Sequence, residues 1–186
     1  MSRLFAAALS VVVCCGISTA AAPGASAAPA AGQGRYCLTI VERIKADSPE
    51  TKVYSRTCSN ENEPGTSLPK GSKLSADGQR VIALDTSGYD LLVTFFQHEY
   101  YGGAYSTVGG RYGTCDTLGY GLSNLTYINN GVVYGISSYR LNGSCYRANY
   151  WTETGYHGYT KYKYGQNNPF VGVTWNDHLY SMQIRA

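Results

Sequence analysis

One pattern occurs twice in this chain and limits what it can fold into. Phe96-Gln97-His98-Glu99-Tyr100-Tyr101-Gly102-Gly103 runs aromatic, four residues, aromatic, one residue, glycine; Trp151-Thr152-Glu153-Thr154-Gly155-Tyr156-His157-Gly158 repeats the frame and changes almost everything inside it. Side chains alternate faces along an extended segment. A hairpin folded over on itself can therefore place both aromatics on the core side, and the glycine can take the positive φ that a distorted turn demands. The residues between the frame positions sit at the hairpin tip and are free to vary. Each frame is followed by a serine-bearing strand, Gly135 to Leu141 and Asp177 to Ile184. A buried hydroxyl there can pair with backbone groups of the hairpin that would otherwise go unsatisfied.

The rest of the chain agrees with an all-β protein. Its 18 tyrosines and 22 glycines far outnumber two methionines and four phenylalanines, and Tyr favours strands while Gly favours tight turns. Tyr36 to Ile44 and Lys52 to Ser59 read as strands joined by the turn residues 45–50, and Leu91 to Gln97 and the run from Arg80 read as buried strands. The stretch from Asn60 to Lys73 is polar and reads as a loop.

Arg3, an apolar run from Leu4 to Val13 and the small residues Ala25-Ser26-Ala27 make residues 1–27 a secretory signal peptide, with cleavage near Ala27 or Ala28. The apolar run is too short to span a bilayer. Cys14 and Cys15 lack the small residue that a lipid-attachment signal wants before them. The expected product is secreted and extracellular, with residues 28–35 a flexible lead-in rich in Ala, Gly and Pro. Four cysteines then remain, Cys37, Cys58, Cys115 and Cys145, and they permit three connectivities. Cys37 with Cys58 and Cys115 with Cys145 is the favoured pairing, because each pair brackets one compact stretch. With Arg3 removed, 14 Lys and Arg face 12 Asp and Glu. So small an excess points to neither nucleic acid nor a membrane as partner.

From Leu92 to the C-terminus the chain resembles the βγ-crystallin superfamily, on Phe96, Tyr101, Gly103 and Ser138 in a first unit and Trp151, Tyr156, Gly158 and Ser181 in a second. The resemblance implies that the two Greek-key units pair into one β-sandwich, over residues 91–186. The first unit is lengthened by residues 111–130, and residues 36–90 carry no such frame. They read as an additional N-terminal β segment stapled by Cys37 and Cys58, either a hairpin added to the sandwich or a small lobe. Secreted bacterial members of the superfamily include killer-toxin-like antimicrobial proteins and metalloproteinase inhibitors. The resemblance thus implies a toxin-related binding protein, with a proteinase inhibitor as one alternative.

The resemblance also makes calcium the candidate ligand. In the second unit Asn176-Asp177 keeps the acidic pair of the family loop but places Tyr180 where a hydroxyl ligand is wanted; in the first, Ser137 and Ser138 are kept without the acidic pair. Asp177, Ser137 and a carbonyl near Gly135 can form one incomplete set, against the six to eight oxygens calcium takes. The alternative, which is favoured, is that Asp177 caps a turn and the serines pack the strand, with calcium binding weak or absent.

No catalytic constellation stands out, and the chain is expected not to be an enzyme. His98, His157 and His178 sit in no metal or nucleophile motif, Ser67-Leu68-Pro69-Lys70 matches S-x-x-K without its partner motifs, and Glu99 and Glu153 occupy equivalent hairpin tips rather than one cleft. Recognition is better supported. Tyr159, Tyr162 and Tyr164, with Trp151 nearby, crowd a short strand too densely for every ring to be core, and exposed rings offer stacking surfaces for a glycan or a protein. Lys161 and Lys163 are expected on the polar side. A secreted protein partner or a cell-surface glycan is the expected ligand; the loop after Cys58 is what an inhibitor would present, and an adaptor subunit of a secreted toxin assembly is the further alternative.

Overall fold

The structure, a computed structural model, describes residues 36–64, 66, 68–82, 88–129 and 135–186. Residues 1–27, expected to be a signal peptide, the expected lead-in at 28–35 and Ser67 lie outside the described residues.

Eleven strands among the described residues form a mostly β sandwich. They are β1 (Tyr36–Arg43), β2 (Thr51–Ser59), β3 (Arg80–Val81), β4 (Tyr89–Phe96), β5 (Tyr105–Gly110), β6 (Tyr120–Leu122), β7 (Ser138–Leu141), β8 (Arg147–Trp151), β9 (Thr160–Tyr164), β10 (Asn167–Asn168) and β11 (Ser181–Arg185). One short helix, α1 (Leu125–Ile128), is capped by Asn124, whose side chain accepts from the Tyr127 amide. The first sheet runs β10-β7-β4-β5-β1-β2, with β3 on β4, and the second runs β6-β11-β8-β9. Each repeat contributes three strands to one sheet and lends its third strand to the other: β6 joins the second sheet and β10 the first. This exchange makes the two units a single sandwich. Its core is filled from both inner faces by Phe95, Val108, Tyr120, Leu122, Tyr139, Ala148, Tyr150, Met182 and Ile184.

Both aromatic frames form the same folded hairpin. Phe96 meets Tyr101 edge-on with ring centroids 5.4 Å apart, and Trp151 meets Tyr156 edge-on at 5.2 Å. Ser138 Oγ donates to the His98 carbonyl at 2.6 Å and accepts from the Tyr101 amide at 3.0 Å; Ser181 Oγ does the same with Glu153 and Tyr156 at 2.6 and 3.0 Å. Gly103 and Gly158 have φ of +79° and +81°, and a Cβ on Gly103 would come within 2.7 Å of the His98 ring. The expectation that the paired aromatics face the core is corrected. Phe95 and Tyr150, one residue earlier, fill the core, so Phe96 and Trp151 point the other way. The hairpin folds back over the outside of its sheet, and the pair is clamped between hairpin and sheet.

The N-terminal strands are a hairpin added to this sandwich. Strand β1 lies parallel to β5, Tyr36 opposite Tyr105 through Val41 opposite Gly110, and β2 pairs antiparallel with β1. Cys37 bonds Cys58 directly across that pair, and Cys115 bonds Cys145. A second apolar cluster of Leu38, Ile40, Leu68, Val81, Tyr89 and Leu91 forms on the outside of the first sheet. Leu68 and Val81 come from the segment after β2, so residues following the hairpin cover that outer face. Tyr105 is tied into the same cover, donating to the Thr66 carbonyl at 3.0 Å and accepting from Asn62 at 2.7 Å.

Candidate binding faces

Among the described residues the outer face of the second sheet has no such cover. Along β8 the residues alternate, with Ala148 and Tyr150 buried in the core and Arg147, Asn149 and Trp151 outward. Strand register then sets two rows across β11, β8 and β9: Gln183, Asn149 and Tyr162 in one, Arg185, Arg147 and Tyr164 in the next. These six side chains, over Ala148, line a groove of about 270 Å³. Tyr162 and Tyr164 are each 63% exposed. The next row ends the groove, because Ser181 and Trp151 lie beneath the folded hairpin. Beyond β11, the Gly121 amide donates to the Pro49 carbonyl at 2.5 Å, and the buried Tyr156 hydroxyl lies against Gly121 without a hydrogen-bond partner among the described residues. Burial pushes that phenol up to about 12.

The residues singled out from the sequence therefore separate. Tyr162 and Tyr164 share the groove. Tyr159, 74% exposed, precedes β9 and donates its amide to Thr152 Oγ1, and Trp151 stands in the neighbouring row. Lys161 and Lys163 face the other way, which corrects the expectation of a polar-side position: they alternate with Tyr162 and Tyr164 and are partly buried. Lys161 Nζ donates to the Val171 carbonyl at 3.0 Å and lies 5.0 Å from the Trp175 ring centroid. Strand β9 is the edge of its sheet, and an inward charge on an edge strand discourages a second chain from pairing there. Asn149, Gln183, Arg147 and Arg185 were not singled out. Their signal was the period-2 alternation of Arg147-Ala148-Asn149-Tyr150-Trp151, which locates an outer face but not which strands lie beside it.

The calcium candidates do meet. Gly135, Ser137, Asn176 and Asp177 line one cleft with Gln97, His98 and Glu99 of the first hairpin. Asp177 takes φ of +61°, and its carboxylate packs against Gly135 where any Cβ would collide. The donor set is thin. Ser137 Oγ already donates to the Gln97 carbonyl at 2.8 Å, and Asn176 Nδ2 donates to Asp177 at 3.3 Å. Asn176 Oδ1 is buried without a hydrogen-bond partner among the described residues. Counting one oxygen from each, Asp177, Asn176 and Ser137 supply three of the six to eight oxygens that calcium takes, and Gln97 and Glu99 of the hairpin line the same cleft. Among the described residues no three His, Cys, Asp or Glu side chains cluster as a metal site. This fit is partial, with the remaining oxygens left to carbonyls and water.

His98 and Glu99 line that cleft, while the loop after Cys58 lines neither place among the described residues. In the loop after Cys58, Lys70 forms an ion pair with Glu61 at 2.6 Å, and Asn62 bridges to Pro69. Lys70 is thus tied to a carboxylate, and Ser67 is outside the described residues. Among the described residues no helix is long and apolar enough to cross a membrane.

No family model and no curated protein matches the chain. Among solved structures it is similar to a βγ-crystallin domain from Flavobacterium johnsoniae, at 24% identity over 51% of this chain and 94% of that one, with a TM-score of 0.38. It is likewise similar to a βγ-crystallin domain from Clostridium beijerinckii, at 19% identity over 50% and 97% with a TM-score of 0.38, and to the N-terminal domain of protein S, at 16% over 51% and 96% with a TM-score of 0.39. At TM-scores below 0.5 these likenesses carry no argument about what the chain binds.

Proposed function

We propose that the chain is a secreted, non-enzymatic binding module that recognises a cell-surface saccharide on the open face of its second sheet, in the service of an antimicrobial or toxin-related activity. The observation that supports this most is the groove itself: two exposed tyrosine rings stand beside Asn149 and Gln183 on one rigid sheet. Sugar rings offer apolar faces that stack on aromatics, and hydroxyls that pair with amides. In this reading residues 91–186 form the recognition domain and residues 36–90 the brace on its other side. The test is retention on whole cells and on an immobilised glycan array, comparing the wild-type chain with Tyr162→Ala/Tyr164→Ala. Loss of about tenfold or more in apparent affinity with an unchanged thermal midpoint supports the reading. Equal binding by the double variant refutes it.

A second reading, an adaptor subunit of a secreted protein assembly, is favoured by one observation. Strand β2 is nine residues long and, among the described residues, ends the first sheet with one side unpaired, and an open edge can take a strand from a partner. A stoichiometric secreted protein captured by both the wild-type chain and the tyrosine double variant would favour this adaptor reading.

A further inference from the structure

We infer that the groove is built for a saccharide bearing a carboxylate, which rests on the saccharide reading above and names the class of sugar. Arg147 and Arg185 are direct cross-strand partners on β8 and β11, with both side chains on the groove face. Like charges placed directly opposite each other weaken a sheet, so this pair has a cost that a ligand anion can offset. Among the described residues no Asp or Glu lines the groove. Neither arginine has an Asp or Glu partner among the described residues, whereas Arg43 pairs with Asp116 and Arg111 with Glu42. Arg147 Nε donates to an oxygen of the Ala186 α-carboxylate at 2.5 Å, which meets part of its charge, whereas an Arg185 terminal nitrogen donates to the neutral Gln183 Oε1 at 3.1 Å.

These two bonds orient the guanidinium groups while leaving other N–H donors for a ligand, since each guanidinium carries five. A planar fork matches a carboxylate through two parallel hydrogen bonds. Tyr164 stands in the same row as the arginine pair and Tyr162 in the row of the two amides. A sugar ring laid along the tyrosines would thus direct its hydroxyls to Asn149 and Gln183 and a ring carboxylate to the arginines. A neutral sugar would satisfy only the first half of the groove.

The experiment is an array of uronic-acid and sialic-acid oligosaccharides printed beside their own methyl esters, probed with the full chain, both disulfides closed. The esters keep the shape and remove the charge. Acids are expected to bind about tenfold or more tighter than their esters. Arg147→Gln and Arg185→Gln should each shrink that preference and the double variant abolish it, with the far-UV spectrum and thermal midpoint confirming the fold. Esters that bind as well as acids would overturn the inference and leave the saccharide reading standing, as would a preference that survives both substitutions. An array on which neither acids, esters nor neutral sugars are retained would overturn both.

Discussion

Replacing Ser181 with alanine tests the central structural claim, that a single hydroxyl clamps each folded hairpin. Ser181 is fully buried, donates to the Glu153 carbonyl and accepts from the Tyr156 amide. The substitution removes both bonds at once. A buried backbone group left unsatisfied costs about 1–3 kcal/mol, and both groups sit in a hairpin that can relax partway toward water, so the expected loss is about 2–3 kcal/mol. Urea unfolding with the disulfides intact should show a lower midpoint at unchanged slope. Amide exchange localises the effect. The Tyr156 amide should open about 30-fold more readily, since a loss of 2 kcal/mol corresponds to a factor of that order. The Tyr101 amide, held by Ser138 in the other unit, should keep its protection unless exchange proceeds by global unfolding. A loss below about 0.5 kcal/mol, or no selective change at Tyr156, would refute the clamp, because that is the range of an ordinary surface substitution.

The remaining predictions concern charge, calcium and the disulfides. Arg111 and Lys52 hold the Glu42 carboxyl below its ordinary value near 4.5; the stability this contributes is complete above that value and is lost as pH falls through the lower folded value. Arg111→Gln should therefore flatten the fall in urea midpoint between about pH 6 and pH 3, and an unchanged fall would refute the pairing. Calcium at about 10 mM should raise the unfolding free energy by at most about 1.4 kcal/mol, the figure for a dissociation constant near 1 mM. A larger rise, measured by calorimetry, would show that the cleft at Asp177 holds more oxygen ligands than its side chains supply. Replacing Cys37 and Cys58 together by alanine should cost about 3 kcal/mol for a loop of 21 residues, read from urea unfolding, and a cost near zero would refute the loop-closure account.

The folded hairpins were legible because their determinants are local. Phe96, Tyr101 and Gly103 lie within eight residues, Gly103 must take a positive φ, and the spacing to a serine strand supplies the closing hydroxyl. The disulfide pairs were legible for a related reason, each joining ends of one compact stretch. The direction of the aromatics was harder to read. Phe95 and Phe96 are both apolar and both buried, and only the inter-sheet packing assigns the first to the core and the second to the hairpin. Lys161 misled for the same reason. A lysine on an edge strand can turn inward when its stem lies along an aromatic and its ammonium reaches a carbonyl, as it does at Trp175 and Val171.

By itself, then, the sequence determined an all-β chain with two like hairpins, two staples and a tyrosine-rich strand, because turns, alternation and loop closure act over short distances. The tertiary structure alone decided that the first sheet's outer face is covered by Leu68 and Val81 while the second sheet's is open among the described residues. It alone set Arg147 opposite Arg185 and Tyr164 beside them. Those choices depend on strand order and register between segments up to 69 residues apart, and only the packing of the two units together selects one register from the many that alternation allows.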